Sequence, residues 1–174
     1  MEPLCYVNGR IQPTKESTVG VTDLGLQRGY GVFDYVPTCN GKLFHLADHL
    51  ARLHHSAAAL YLELPIPDDE ITHIANQLIA GSELRRPALR LILTGGDAHT
   101  QPMLAQPNFI MIIEELPTYP EDVYIHGTTL TTVQYQRELA EVKSINYLNA
   151  IRLEPLKQQT WAALVRLRET RTLS

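Results

Sequence analysis

Three things are scarce in this 174-residue chain: cysteine, runs of one charge, and long apolar stretches. Only two cysteines occur, Cys5 and Cys39, far apart and in no metal-ligand spacing. That argues against a disulfide framework or a zinc site and for a reduced, cytoplasmic setting. The formal net charge is −4 and the pI about 5.9, with basic residues scattered apart from a short C-terminal group. A polyanion such as nucleic acid is therefore not an expected partner. No window approaches the roughly 18 consecutive apolar residues that a membrane helix needs. The opening "MEPLCYVNGRIQ" also lacks the basic start and apolar run of a signal peptide. Internal repeats and low-complexity tracts are absent as well. What is present is 44% hydrophobic and 20% charged residues, enough to bury a core.

Turn signals and periodicity divide the chain. "LCYVNGRIQ" and "VPTCNGKLF" each centre on Asn-Gly, the strongest local signal for a two-residue hairpin. Between them "TDLGLQRGYGVFDY" holds three close glycines without the order of a phosphate loop, and reads as a loop feeding a strand at Val32. Leu46, Leu50, Leu53, Ala57, Leu60 and Leu64 then recur at helical spacing. A second helix is expected over 68–81, opened by Asp68 and Asp69 after Pro67. Strands are expected at 88–96 and 108–116, followed by a Pro-rich linker at 117–122. "VYIHGTTLTTVQYQ" alternates as paired strands would, and an amphipathic helix is expected from Ser144. Helices and hairpins so segregated imply an α+β fold, not a doubly wound sheet.

Candidate chemistry sits on two segments. On the first helix, His45, His49, Arg52 and Ser56 project to one flank beside the leucine stripe. Arg52 there can hold a phosphate or carboxylate with its planar fork, or pair with Asp48 one turn back and face water. His45 and His49 have metal spacing but no obvious third ligand, so no metal is expected. Lys143 lies between Val142 and Ile145, apolar neighbours that would desolvate an amine and favour its use as a nucleophile. An exposed lysine at a helix start is the plain alternative.

Taken together, "DLGLQRGYGVFDY", "NGKLFHLADHLARLHHSAAAL", "ALRLILTGG" and "EVKSINYLNAI" occur in an order and at distances that resemble the class IV aminotransferases. These are the fold-type IV pyridoxal phosphate enzymes, including branched-chain and D-amino-acid aminotransferases and aminodeoxychorismate lyases. The resemblance covers about residues 4–156 and rests most on the paired HL-x-RL-x-x-SA and VKS-x-NYL blocks. It implies pyridoxal 5'-phosphate as cofactor and Lys143 as the residue that anchors its aldehyde and moves a proton. It implies Arg52 as the phosphate clamp, Tyr147 beside the ring oxygen, and Phe33 in the substrate pocket. His99 and Thr100, in "GGDAHTQPMLAQ", stand where substrate-side residues are expected. A homodimer acting on a small amino acid and a 2-oxo acid follows, with branched-chain amino acids as the leading substrate class.

The resemblance also implies a longer chain. The expectation is an N-terminal domain over 1–116 and, from 123 to 174, the start of an incomplete cofactor-binding domain. "ETRTLS" near the end resembles the family's glutamate for the pyridine nitrogen, which makes Glu169 a candidate, with an exposed acid among Arg166, Arg168 and Arg171 as the alternative. Two rivals accompany the aminotransferase reading: an aminodeoxychorismate lyase using the same lysine, and a non-catalytic truncated member acting by association.

Overall fold

The computed structural model describes residues 3–97, 106–135, 137–159 and 164–168, with side chains through residue 156. Two compact units result, one of residues 1–116 with 141–145, the other of 117–140 with 146–174. The five residues around Lys143 thus belong to the first unit, not to the domain expected from 123 onward.

The first unit opens with the hairpin of β1 (Leu4–Val7) and β2 (Arg10–Pro13). Its turn puts Asn8 at φ 45° and Gly9 at φ 90°, the left-handed pair that a two-residue hairpin requires. A short helix follows where a loop was expected, α1 (Leu24–Arg28). Asp23 caps it: one carboxylate oxygen accepts from the Gly25 and Leu26 N–H groups, and the other accepts from Thr94 and Asn108. Those last two partners are distant in sequence, so tertiary contact makes a helix that glycine-rich local sequence disfavours. Next come β3 (Gly31–Cys39) and β4 (Lys42–Leu43), joined at the second Asn-Gly turn.

Helices α2 (Leu46–Ala59) and α3 (Asp68–Ala80) fall where leucine periodicity and the acidic start place them. β5 (Pro87–Thr94) and β6 (Asn108–Glu115) complete a six-stranded antiparallel sheet of order β2-β1-β6-β5-β3-β4. Both helices cover one face, burying Leu50, Leu53, Ile71 and Leu78 against Val32, Val36, Leu89, Leu91 and Phe109. Side chains of opposite parity, among them Phe33, Tyr35 and Arg90, take the other face. Gly96 sets a tight corner after β5 at φ 67°, and a Cβ there would lie 1.7 Å from the Gln106 carbonyl oxygen. Gly96→Ala is expected to lower stability by about 2 kcal/mol through left-handed strain and that backbone clash. The urea midpoint would measure it, and an unchanged midpoint would contradict it.

In the second unit, residues 121–126 are helix α4 (Glu121–His126) instead of a linker and strand. Pro120 precedes it, two acids fill its first turn and Gly127 ends it at φ 74°, signals that outweigh the alternation. β7 (Leu130–Gln134) follows, then α5 (Leu148–Arg152), α6 (Glu154–Gln159) and β8 (Leu164–Arg168), which pairs parallel with β7. The helix expected at Ser144 begins only at Leu148. No helix among the described residues is long and apolar enough to cross a membrane.

Candidate functional site

The segment that includes Lys143 is extended, and it continues the sheet beside the start of β3. The Phe33 N–H donates to the Lys143 carbonyl at 3.0 Å, and the Ile145 N–H donates to the Gly31 carbonyl at 3.1 Å. Ser144 sits opposite Val32 as an antiparallel bridge. From the helix side, Ser56 on α2 accepts the Lys143 N–H at 3.1 Å, and Val142 is 1% exposed within the core. This backbone is therefore held from several directions before any chemistry is considered. The lysine side chain shares the face of Phe33, with its Nζ 4.3 Å from that ring's centroid. A cation so placed is attracted by the ring's negative face.

On the opposite face of β3, the next residue organises a second cation. Asp34 is fully buried at the position between Val32 and Val36 that points toward the helices. Arg52 donates Nε to Asp34 Oδ2 and Nη2 to Oδ1, both at 2.8 Å, a two-point grip. His49 Nδ1 lies 2.7 Å from Oδ1, and the Tyr35 N–H donates to the same oxygen at 2.7 Å. With the Nδ1 proton directed at Asp34, the 3.1 Å approach of Arg52 Nη2 to that nitrogen brings two donors together and is no further hydrogen bond. Burial pushes the Asp34 carboxyl up, but hydrogen bonds from Arg52, His49 and the Tyr35 backbone, with the Arg52 charge, hold it below the usual carboxylate range. The hydrogen bond to Asp34 in turn raises the Arg52 guanidinium.

Arg52 thus pairs with Asp34 and not with Asp48, which instead receives His45 at 2.8 Å on the surface. The two histidines of the H-x-x-x-H pair part company, His45 to Asp48 and His49 to Asp34. Half of the Arg52 side chain remains exposed, at 51%, and its Nη1 group makes no hydrogen bond among the described residues. Lys143 and Arg52 consequently reach the same stretch of β3 from opposite faces.

Of the other candidates, Phe33 is buried against Lys143, and Tyr147 precedes α5 in the second unit, 47% exposed. His99, Thr100 and Glu169 lie outside the described residues. Asp34 was missed by sequence reasoning. The available signal was an acid at inward parity in Val-x-Asp-x-Val, which demands a buried partner.

The family model for amino-transferase class IV matches residues 31–160, most of the chain, including Phe33, Asp34, Arg52 and Lys143. The chain belongs to the class IV aminotransferases. A putative branched-chain-amino-acid aminotransferase of Methanocaldococcus jannaschii is 29% identical over 151 residues, covering 84% of this chain and 52% of that protein. A D-alanine aminotransferase of Bacillus licheniformis is 29% identical over 159 residues, covering 89% and 56% respectively. This class IV chain therefore spans about half the length of the curated relatives it matches. Among solved structures, the branched-chain aminotransferase of the archaeon Thermoproteus uzoniensis with norvaline superposes with a TM-score of 0.80 at 19% identity, covering 96% of this chain and 60% of that one. A hypothetical aminotransferase from Mycobacterium tuberculosis in its PLP-bound form gives 0.76 at 19%, covering 96% and 62%. Such likenesses establish the α+β fold of this family over part of its length.

Proposed function

We propose that this chain carries the amine and one phosphate-binding arm of a pyridoxal phosphate aminotransferase, which passes an amino group between an amino acid and a 2-oxo acid. The observation that carries the reading is Lys143, anchored through its backbone to β3 with its amine against the Phe33 ring. A primary amine against an aromatic wall suits an aromatic aldehyde, and a half-exposed guanidinium reaching the same stretch of β3 suits a phosphate.

When bound, pyridoxal phosphate supplies the electron sink that polypeptide side chains lack. Lys143 would anchor its aldehyde through Nζ and afterwards carry a proton as general base. Arg52 would offer its Nη1 side to the phosphate while Asp34 holds the Nε and Nη2 side in place. The M. jannaschii relative supports a branched-chain amino acid as substrate, and the D-alanine aminotransferases at similar identity support a small D-amino acid instead.

The test is covalent labelling. Incubation with pyridoxal phosphate, borohydride reduction and peptide mass analysis should place one label on Lys143. Labels scattered over the surface lysines, or none, would refute the assignment. A separate sample loaded with pyridoxal phosphate and left unreduced would then be offered L-leucine and D-alanine in turn, and conversion of the cofactor's absorbance to that of its amine form would choose between the substrates.

A further inference from the structure

Ser56 shares a flank of α2 with His49 and Arg52, and the aminotransferase reading gives it no role. It is fully buried, on a helix whose other buried residues, Leu50, Leu53 and Ala57, are apolar. A hydroxyl there costs desolvation that alanine would avoid, and alanine is also the better helix former. The hydroxyl has a distant partner instead. Its oxygen accepts the N–H of Lys143, 87 residues further along the chain, at 3.1 Å. The carbonyl of the same lysine accepts from the Phe33 N–H at 3.0 Å. One turn before Ser56 on the same helix, Arg52 grips Asp34, the chain neighbour of Phe33. A closed circuit results: Ser56 to Lys143, Lys143 to Phe33, Asp34 to Arg52, and one turn of α2 back to Ser56.

We propose that Ser56 is a positioning residue, which ties the Lys143 backbone to α2 and so fixes the amine relative to the Arg52 guanidinium carried by the same helix. This rests on the reading of Lys143 and Arg52 as the amine and the phosphate arm of one site. A ligand held at two points gains from the second only while the spacing between them is fixed. An anchor free to wander lowers the effective concentration that the other one sees. Without the hydroxyl, the circuit opens between helix and lysine. Lys143 stays on β3 through Phe33 and the Ile145–Gly31 bond, and Val142 still fills the core. The fold therefore outlasts the loss, and what goes is the register between the two arms. Ser56 acts through Lys143 and not on the ligand itself.

The experiment compares two aldehydes on the full chain, pyridoxal phosphate and 5'-deoxypyridoxal, which lacks the phosphate. Each is titrated, the mixtures are reduced with borohydride, and the label on Lys143 is quantified by peptide mass. The ratio of the two half-saturating concentrations is the preference that the phosphate confers. Ser56→Ala should lower that preference by about tenfold, while the 5'-deoxypyridoxal value stays nearly constant. A role confined to stability would weaken both aldehydes alike and leave the ratio where it was. An unchanged ratio in folded Ser56→Ala overturns the proposal. If Ser56→Ala does not fold by circular dichroism, Ser56→Cys decides, since a thiol occupies the site but accepts hydrogen bonds weakly: a fall in the ratio supports the proposal and no fall overturns it. No label on Lys143 in the unaltered chain, or a label without preference for the phosphate, overturns the reading of the site and this proposal with it. A phosphate-preferring label that Ser56→Ala leaves unchanged overturns this proposal alone.

Discussion

Lys143→Ala is expected to remove the borohydride-stable label completely while leaving the fold intact. Both halves of that expectation have a structural origin. The chemistry requires a primary amine at one position, and alanine supplies none. The fold uses this residue mainly through its backbone: the Lys143 N–H to Ser56, its carbonyl to Phe33, and the following pair through Ile145 and Gly31. Val142, the apolar anchor of the segment, is unchanged. The side chain's approach to Phe33 contributes about 0.5–1 kcal/mol if it follows other partly exposed cation–aromatic pairs. Thermal unfolding should therefore move by a few degrees at most. A label that persists in Lys143→Ala would show that another lysine holds the aldehyde. A variant that unfolds would show that the amine is structural, and Lys143→Arg, keeping a cation over Phe33 without a primary amine, would then separate the two roles.

Local signals carried most of the first unit into the sequence reading, because its elements declare themselves locally. Asn-Gly turns fix the two hairpins by their need for positive φ, and leucine at helical spacing fixes α2. The elements that escaped depend on partners far away in the chain. Helix α1 contains glycine at position 25, followed by Gly29 at its end, and survives through an Asp23 cap braced by Thr94 and Asn108. Residues 143–145 look locally like a helix start before "INYLNAI". Backbone hydrogen bonds to β3 instead draw them into extended form, and helix begins beyond Asn146, whose side chain accepts the Leu148 N–H.

The site divides the same way. Lys143, Arg52 and Phe33 are visible as members of motif blocks, so resemblance brought them forward. Asp34 and Glu114 lie outside the residues which that resemblance assigned, and their meaning comes from register. Asp34 matters because α2 aims Arg52 and His49 at an inward-facing strand position. Glu114 meets the Arg90 guanidinium, Nε to Oε1 at 2.7 Å, because β6 runs beside β5 with Ala88 opposite Glu114, two residues from Arg90. A pairing between residues 24 positions apart across two strands is invisible until the register is known.

Asp34→Asn is expected to destabilise the chain by about 3 kcal/mol at neutral pH, with a penalty that fades in acid. The aspartate is fully buried and accepts from Arg52 twice, from His49 and from the Tyr35 N–H. Asparagine fills the same space, but it is neutral and turns one acceptor into a donor facing other donors. Arg52 is half exposed and can regain water, which keeps the loss below that of a fully buried ion pair. The pH dependence follows from the direction of the shift. Asp34 titrates lower in the folded chain than its ordinary 3.8, so its contribution is complete above that value and is lost as pH falls through the folded pKa. Asparagine cannot titrate. Stability curves of the two proteins should therefore lie apart and parallel above about pH 5, then converge below about pH 4. Curves that stay parallel down to about pH 2 would mean that Asp34 titrates alike in the folded and unfolded chain, against the lowered value its partners imply. Pyridoxal phosphate binding should weaken as well, because Arg52 loses the anchor that presents Nη1, and ordering a freed arginine costs about 1 kcal/mol. An unchanged affinity alongside the stability loss would confine Asp34 to the fold and leave Arg52 able to orient itself.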